Sequence, residues 1–156
     1  MNKLSCVTIF GLLLLHTVVR AESPTVFEFT VDKPMSEVYP EMLSGIEDSK
    51  LYLFLELDIG KNLSYFAESW GNDYNQNDLT AIRSIVFCNG WYANQVSNKD
   101  PNMLGLCPLH ITLIEKDGKT TALFNRPTVI SRGSAAHEVV AVIEQEVIKV
   151  IKNAMQ

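Results

Sequence analysis

Two cysteines, a methionine and a histidine carry the most distinctive chemistry in this chain: Cys88, Met103, Cys107 and His110. Thiolate, thioether and imidazole are the soft and borderline donors that suit copper or haem iron. Neither the paired Cys-x-x-Cys spacing of a zinc ribbon nor the Cys-x-x-Cys-His of c-type haem attachment is present. The competing reading is a Cys88–Cys107 disulfide, whose loop closure would contribute about 3 kcal/mol by constraining the unfolded chain. A bridge removes both thiolates from ligation, so the two readings exclude one another; two separate buried thiols are the plainer alternative. A thiol lowered in pKa by His110 is a further option, but residues three apart on a strand point to opposite faces.

Beside Cys88, the run Asn89, Gly90, Trp91, Tyr92, Ala93 and Asn94 follows an apolar strand and brings two aromatics to a strand-end loop, where α/β sheets often bind ligands. The alternative is that both rings close the core. His110, Asn125 and Arg126 form a second candidate, in which Arg126 could hold an anion beside the imidazole. The expected ligand-binding set is therefore Asn89, Trp91, Tyr92, Asn94, His110, Asn125 and Arg126, and the expected metal set, as an alternative, is Cys88, Met103, Cys107 and His110. Glu56 and Asp58 share one side of a strand and could raise one another's pKa; a solvated edge is the commoner outcome. His137 reads as a surface residue. No phosphate loop, Gly-x-Ser-x-Gly elbow or His-Glu-x-x-His is found, and no catalytic residue is assigned. No cofactor is expected, with copper or haem as the alternative.

The elements that would position these groups follow from hydrophobic periodicity. Residues 25–31 alternate as a half-buried strand. Asp32 and Pro34 open a helix with Met35, Val38, Tyr39, Met42 and Ile46 on one face, in which Pro40 should kink or shorten the helix. From Leu51 to Ile59 every odd position is Leu or Ile, the clearest strand pattern in the chain. Residues 61–70 read as a short helix, 78–82 as the start of a helical turn, 84–88 as a buried strand and 93–97 as helical. Residues 108–116 and 119–125 form a hairpin around Asp117-Gly118, a pair suited to a type I′ turn. Ile111 then faces Phe124, Leu113 faces Ala122, and His110 lies opposite Asn125. Ser134 caps a final helix with Ala136, Val140, Ile143, Val147, Val150 and Ala154 as its buried stripe. The expected fold is an α/β (α+β) two-layer sandwich: a mixed sheet of four to five strands against helices, ending in a hairpin and helix.

The N-terminus sets the compartment. Lys3, the apolar run 9–15 and Val19-Arg20-Ala21 match a cleaved signal peptide over 1–21, with the mature chain starting at Glu22. The apolar run is too short to span roughly 30 Å of hydrocarbon. Residues 22–156 are then one α/β domain in the periplasm or outside the cell. Loss of Lys3 and Arg20 from 13 basic residues, against 18 acidic ones, leaves a formal charge of −7. Nucleic acid and, after cleavage, anionic membrane are thereby disfavoured as partners, leaving an unknown small molecule or protein. Asn62-Leu63-Ser64 is a glycosylation acceptor in a eukaryotic host only.

The helix after the first strand, the strand ending at Phe87-Cys88-Asn89, the approach from Met103 to Pro108 and the turn at Asp117-Gly118 resemble the domain-of-unknown-function family numbered 302, from about Phe27 to Ala154. Phe87-Cys88-Asn89-Gly90 and Gly105-Leu106-Cys107-Pro108 resemble an exported, cysteine-containing proteobacterial subgroup. The resemblance implies a small α/β domain and the possibility of a homodimer, and no catalytic residues. The function expected is a non-enzymatic periplasmic binding or accessory protein; the alternative is a redox or metal/haem protein using the Cys/Met/His cluster.

Overall fold

The computed structural model describes residues 24–156. The expected leader 1–21, with Cys6, and the expected mature start at Glu22 lie outside the described residues. The elements are β1 (Val26–Val31), α1 (Met35–Asp48), β2 (Tyr52–Asp58), α2 (Ile59–Ser64), α3 (Ala67–Trp70), β3 (Ala81–Cys88), α4 (Gly90–Lys99), β4 (Leu109–Lys116), β5 (Lys119–Asn125), α5 (Pro127–Ile130) and α6 (His137–Ala154). They form an α+β two-layer sandwich in which a five-stranded sheet, ordered β1-β5-β4-β3-β2, lies against α1 and α6.

Every pairing in the sheet is antiparallel, which corrects the mixed sheet expected from sequence. The reason is topological. β1, α1 and β2 do form a crossover whose two strands run the same way, but the crossover spans the full width of the sheet. β3, β4 and β5 fill the space between, each antiparallel to its neighbours, so the two parallel strands become opposite edges.

The hairpin forms as its residues dictate. Asp117 and Gly118 take φ of 51° and 72°, the paired left-handed conformations of a type I′ turn, and Leu113 sits opposite Ala122. The same register places Ile111 across from Phe124, and all four side chains are buried. They meet Phe87 and Ile85 of β3, Met42 and Ile46 of α1, and Val147 and Ile151 of α6 in one core.

The clearest strand pattern does not set its own faces. A register shift between Leu53 and Leu55 makes β2 bulge at Phe54. Leu53, opposite Phe87, packs on the core, but Leu55 is 51% exposed. Glu56 then pairs with Ile85 and Asp58 with Arg83, which turns these two carboxylates toward the helix layer. Period-two alternation cannot signal an extra residue, so the leucine face inferred from odd positions breaks at the bulge.

Other boundaries move for local reasons. Residues 61–70 divide into α2 and α3, and 78–80 are an irregular loop, with Asp78 at a left-handed φ of 55°, leading into β3, which starts at Ala81. Pro40 sits inside α1, and the helix runs on to Asp48. Its missing N–H leaves the Ser36 carbonyl without its usual i+4 donor. Asp32 does not cap α1: it pairs with Lys119, and the Glu115 carboxylate accepts the Met35 N–H instead, at 2.5 Å. Ser134 lies one turn before α6, its Oγ accepting from Ala136 N and donating to Asp100. Among the described residues no helix is long and apolar enough to cross a membrane.

Phe87 is completely buried at the centre of the layer contact. Phe87→Ala is expected to cost about 3–5 kcal/mol through lost burial and the cavity left behind. Urea unfolding checks this, with a lowered midpoint at unchanged slope as the expected outcome.

Candidate functional site

The strand-end loop that drew attention in the sequence is built as an anchor. Asn89 caps α4: its Oδ1 accepts from Tyr92 N at 3.1 Å and its Nδ2 donates to Lys50 O at 3.1 Å. Asn89-Gly90 is therefore a helix start. Tyr92 Oη donates to Glu146 Oε1 of α6 at 2.6 Å, and that hydrogen bond, followed by burial, pushes the phenol up to about 12. Cys88 and Cys107 are joined by a disulfide with a Cα–Cα distance of 6.5 Å, inside the usual range. Met103 lies with them. These side chains surround about 40 Å³ of space, well below the roughly 300 Å³ at which small-molecule pockets begin. Trp91 (68% exposed) and Asn94 face solvent.

His110 stands apart from this group. It pairs across the sheet with Val86, is exposed, and projects from the face opposite Ile111, away from α1 and α6. Among the described residues, no three His, Cys, Asp or Glu side chains are grouped to hold a metal. Asn125 is exposed on β5, opposite Val26.

Arg126 turns inward to Glu144, a fully buried carboxylate on α6. Its Nε donates to Glu144 Oε1 at 2.9 Å and its second guanidinium nitrogen lies 2.8 Å from the same oxygen. Thr128 donates to Oε2 twice, from N at 3.0 Å and Oγ1 at 2.6 Å. Burial pushes the Glu144 carboxyl up, but the hydrogen bonds from Thr128 and the bond and charge of Arg126 outweigh it and hold it below the ordinary value. Glu144 directly follows Ile143 of the apolar stripe, and nothing in hydrophobic periodicity marks it as a buried carboxylate. Elsewhere, Ser131 Oγ lies 3.0 Å from His137 Nδ1, but this serine is completely buried and serves as a tie between α5 and α6.

The large cavity lies at the other end of the sheet, about 650 Å³ between the first turns of α1, α2 and the start of β3. Glu115 braces its walls: Oε2 accepts from Met35 N, and Oε1 accepts from Thr80 Oγ1 at 2.8 Å. Gly60 permits close approach, since a Cβ there would stand 3.2 Å from the backbone nitrogen of Ile82. Asp58, brought round by the bulge, caps α2 by accepting from Lys61 N at 2.9 Å. The Arg83 guanidinium lies 4.2 Å over the Tyr39 ring and 3.9 Å from Asp58 Oδ2. Tyr39 Oη donates to Glu56 Oε2 at 2.6 Å, and burial, then this bond and the Glu56 charge, raise its phenol well above the ordinary value. Tyr39, Arg83, Lys61, Tyr74 and Asn75 all line the space. As candidates for chemistry only Glu56 and Asp58 draw notice in the sequence, Tyr39 reading there as a core residue of the first helix. The signal for Arg83 is the cross-strand Asp58–Arg83 pair, legible only once β2 and β3 are aligned.

The family model described as "Domain of unknown function DUF302" matches residues 27–156. Among solved structures, the crystal structure of an uncharacterised conserved DUF302 protein from Bacillus stearothermophilus is similar at a TM-score of 0.72 and 16% identity, over 86% of this chain and 100% of that one. No curated protein matches the sequence significantly.

Arg126→Ala strands a buried charge and is expected to cost about 3–5 kcal/mol by chemical denaturation. Because the folded pKa of Glu144 is depressed, its stabilisation is complete above the ordinary carboxylate range and is lost as pH falls through the lower folded value. Stability measured against pH is expected to fall less steeply on that acid limb in Glu144→Gln than in the wild type.

Proposed function

This chain belongs to the DUF302 family, and on that premise we propose that it is an exported small-molecule-binding protein whose ligand occupies the cavity between α1, α2 and β3. The cavity carries the reading. At about 650 Å³ it falls in the range that encloses a small organic ligand, roughly 300–1,000 Å³, and it combines apolar walls with a few fixed polar groups. The chemistry of those groups favours binding over turnover. Asp58 is committed to the α2 cap, and the Tyr39 phenol is held protonated by burial and Glu56. The strand-end loop, bridged by Cys88–Cys107, serves in this reading to hold α4 to the sheet.

Export is supported by the leader-like N-terminus and by that bridge, which suits an oxidising compartment. Intact mass and thiol counting on protein secreted from cells check it. The expected result is a chain starting at Glu22 with no free thiol and a gain of two hydrogens on reduction; retention of residues 1–21 with free thiols would remove this part of the reading.

Binding is tested by thermal shift against a chemically mixed library of small organic molecules, using the wild type and Ser36→Trp, an exposed position on the cavity wall. A saturating ligand at 100 times its Kd is expected to stabilise the wild type by about 2.7 kcal/mol and to have little effect on the filled variant. Hits that stabilise both equally, or no hit, would count against the cavity.

A further inference from the structure

The proposed cavity contains a cation whose hydrogen-bonding capacity is left unused among the described residues. Arg83 projects from β3, and among the described residues its guanidinium touches the Tyr39 ring at 4.2 Å and Asp58 Oδ2 at 3.9 Å. A ring face takes no directed N–H bond, and 3.9 Å is beyond hydrogen-bond distance. Five N–H donors thus lack an acceptor at bonding distance among the described residues, on a group that lies over the Tyr39 ring. That ring is itself fixed by the Tyr39–Glu56 hydrogen bond. On the same wall Lys61 is exposed, and among the described residues its ammonium makes no ion pair, while its backbone N–H engages Asp58.

The charged side chains that line the space, Arg83, Lys61 and Asp58, sum to +1, while Glu56 and Glu115 behind its walls are engaged by Tyr39 and by Met35 N and Thr80; the lining thus suits a single negative charge better than a dianion. Pro40, Leu63, Leu79 and Ile82 supply apolar surface for the rest of the molecule. We propose, resting on the cavity being the ligand site, that its ligand is an organic monocarboxylate with an apolar or aromatic body, held by Arg83 through its free guanidinium edge. A guanidinium fork matches a carboxylate in two parallel N–H···O bonds. Lys61 adds attraction at the mouth, and the Asp58 carboxylate disfavours a second negative charge.

The probe is benzoate, compared with benzamide, its neutral isostere in shape, and with inorganic phosphate, each titrated by calorimetry and ligand-observed NMR against the mature chain. Benzoate is expected to bind at least about tenfold more tightly than benzamide, and phosphate to bind more weakly than benzoate. Arg83→Gln is expected to abolish the preference for benzoate, with folding checked by circular dichroism; should that variant fail to fold, the preference in the wild type and its reduction in Lys61→Gln decide the matter. Equal binding of benzoate and benzamide, both lost in Ser36→Trp, would overturn the carboxylate while leaving the cavity as the ligand site. Tighter phosphate than benzoate would also overturn it. Absence of benzoate binding overturns the carboxylate, and the cavity falls with it only if the wider library also yields no hit.

Discussion

One buried carboxylate governs how the two layers meet. Glu144 lies on the inner face of α6, and a lone charge in that position would be costly enough to unseat the helix. Arg126 and Thr128 supply four donor contacts, from the end of β5 and from α5, and so turn that cost into a constraint. The hydrophobic stripe of α6 packs on the core without direction, whereas the carboxylate is satisfied only where Arg126 and Thr128 reach it. Buried polar groups of this kind specify an arrangement more than they strengthen it. With α6 held, Tyr92 can reach Glu146, α4 is oriented, and the loop carrying Cys88 and Cys107 is brought together.

The opposite end of the sheet depends on an irregularity. The bulge at Phe54 inserts one residue into an edge strand and exchanges its faces beyond that point. Without it, Leu55 and Leu57 would continue the core face, and Glu56 and Asp58 would point away from the helices. With it, Glu56 meets Tyr39, Tyr39 supports Arg83, and Asp58 starts α2. A hydrophobic layer thus ends in a polar chamber, and Glu115 ties its far wall to the start of α1. Bulges concentrate beside functional sites for this reason: they re-aim side chains without ending the strand.

The two ends of the molecule therefore divide the work. The end bearing the disulfide, Asn89 and Tyr92 leaves only a small space and is cross-linked. The end bearing Arg83 is open, holds polar groups not fully satisfied by the protein, and rests on a rigid core. Residue types alone pointed to the first end because sulfur and aromatic side chains are rare and conspicuous. The second uses common residues, and only their juxtaposition is unusual.

The sequence by itself determined what depends on short-range pattern: the α+β class, the hairpin with its Asp117-Gly118 turn, the core faces of α1 and α6, and the apolar strand before Cys88. Periodicity and turn chemistry are local, so these were legible. The joining of Cys88 to Cys107 was one of several open outcomes, because spacing alone does not bring two Cα atoms within range. Tertiary structure decided the antiparallel order, since which strands fill the gap between β1 and β2 is a long-range choice. It also decided the inward turn of Arg126, which needed Glu144 from a helix 18 residues later. Above all it decided the cavity: Tyr39, Asp58 and Arg83 come from three elements, and a one-residue bulge that no alternation pattern records brings them together.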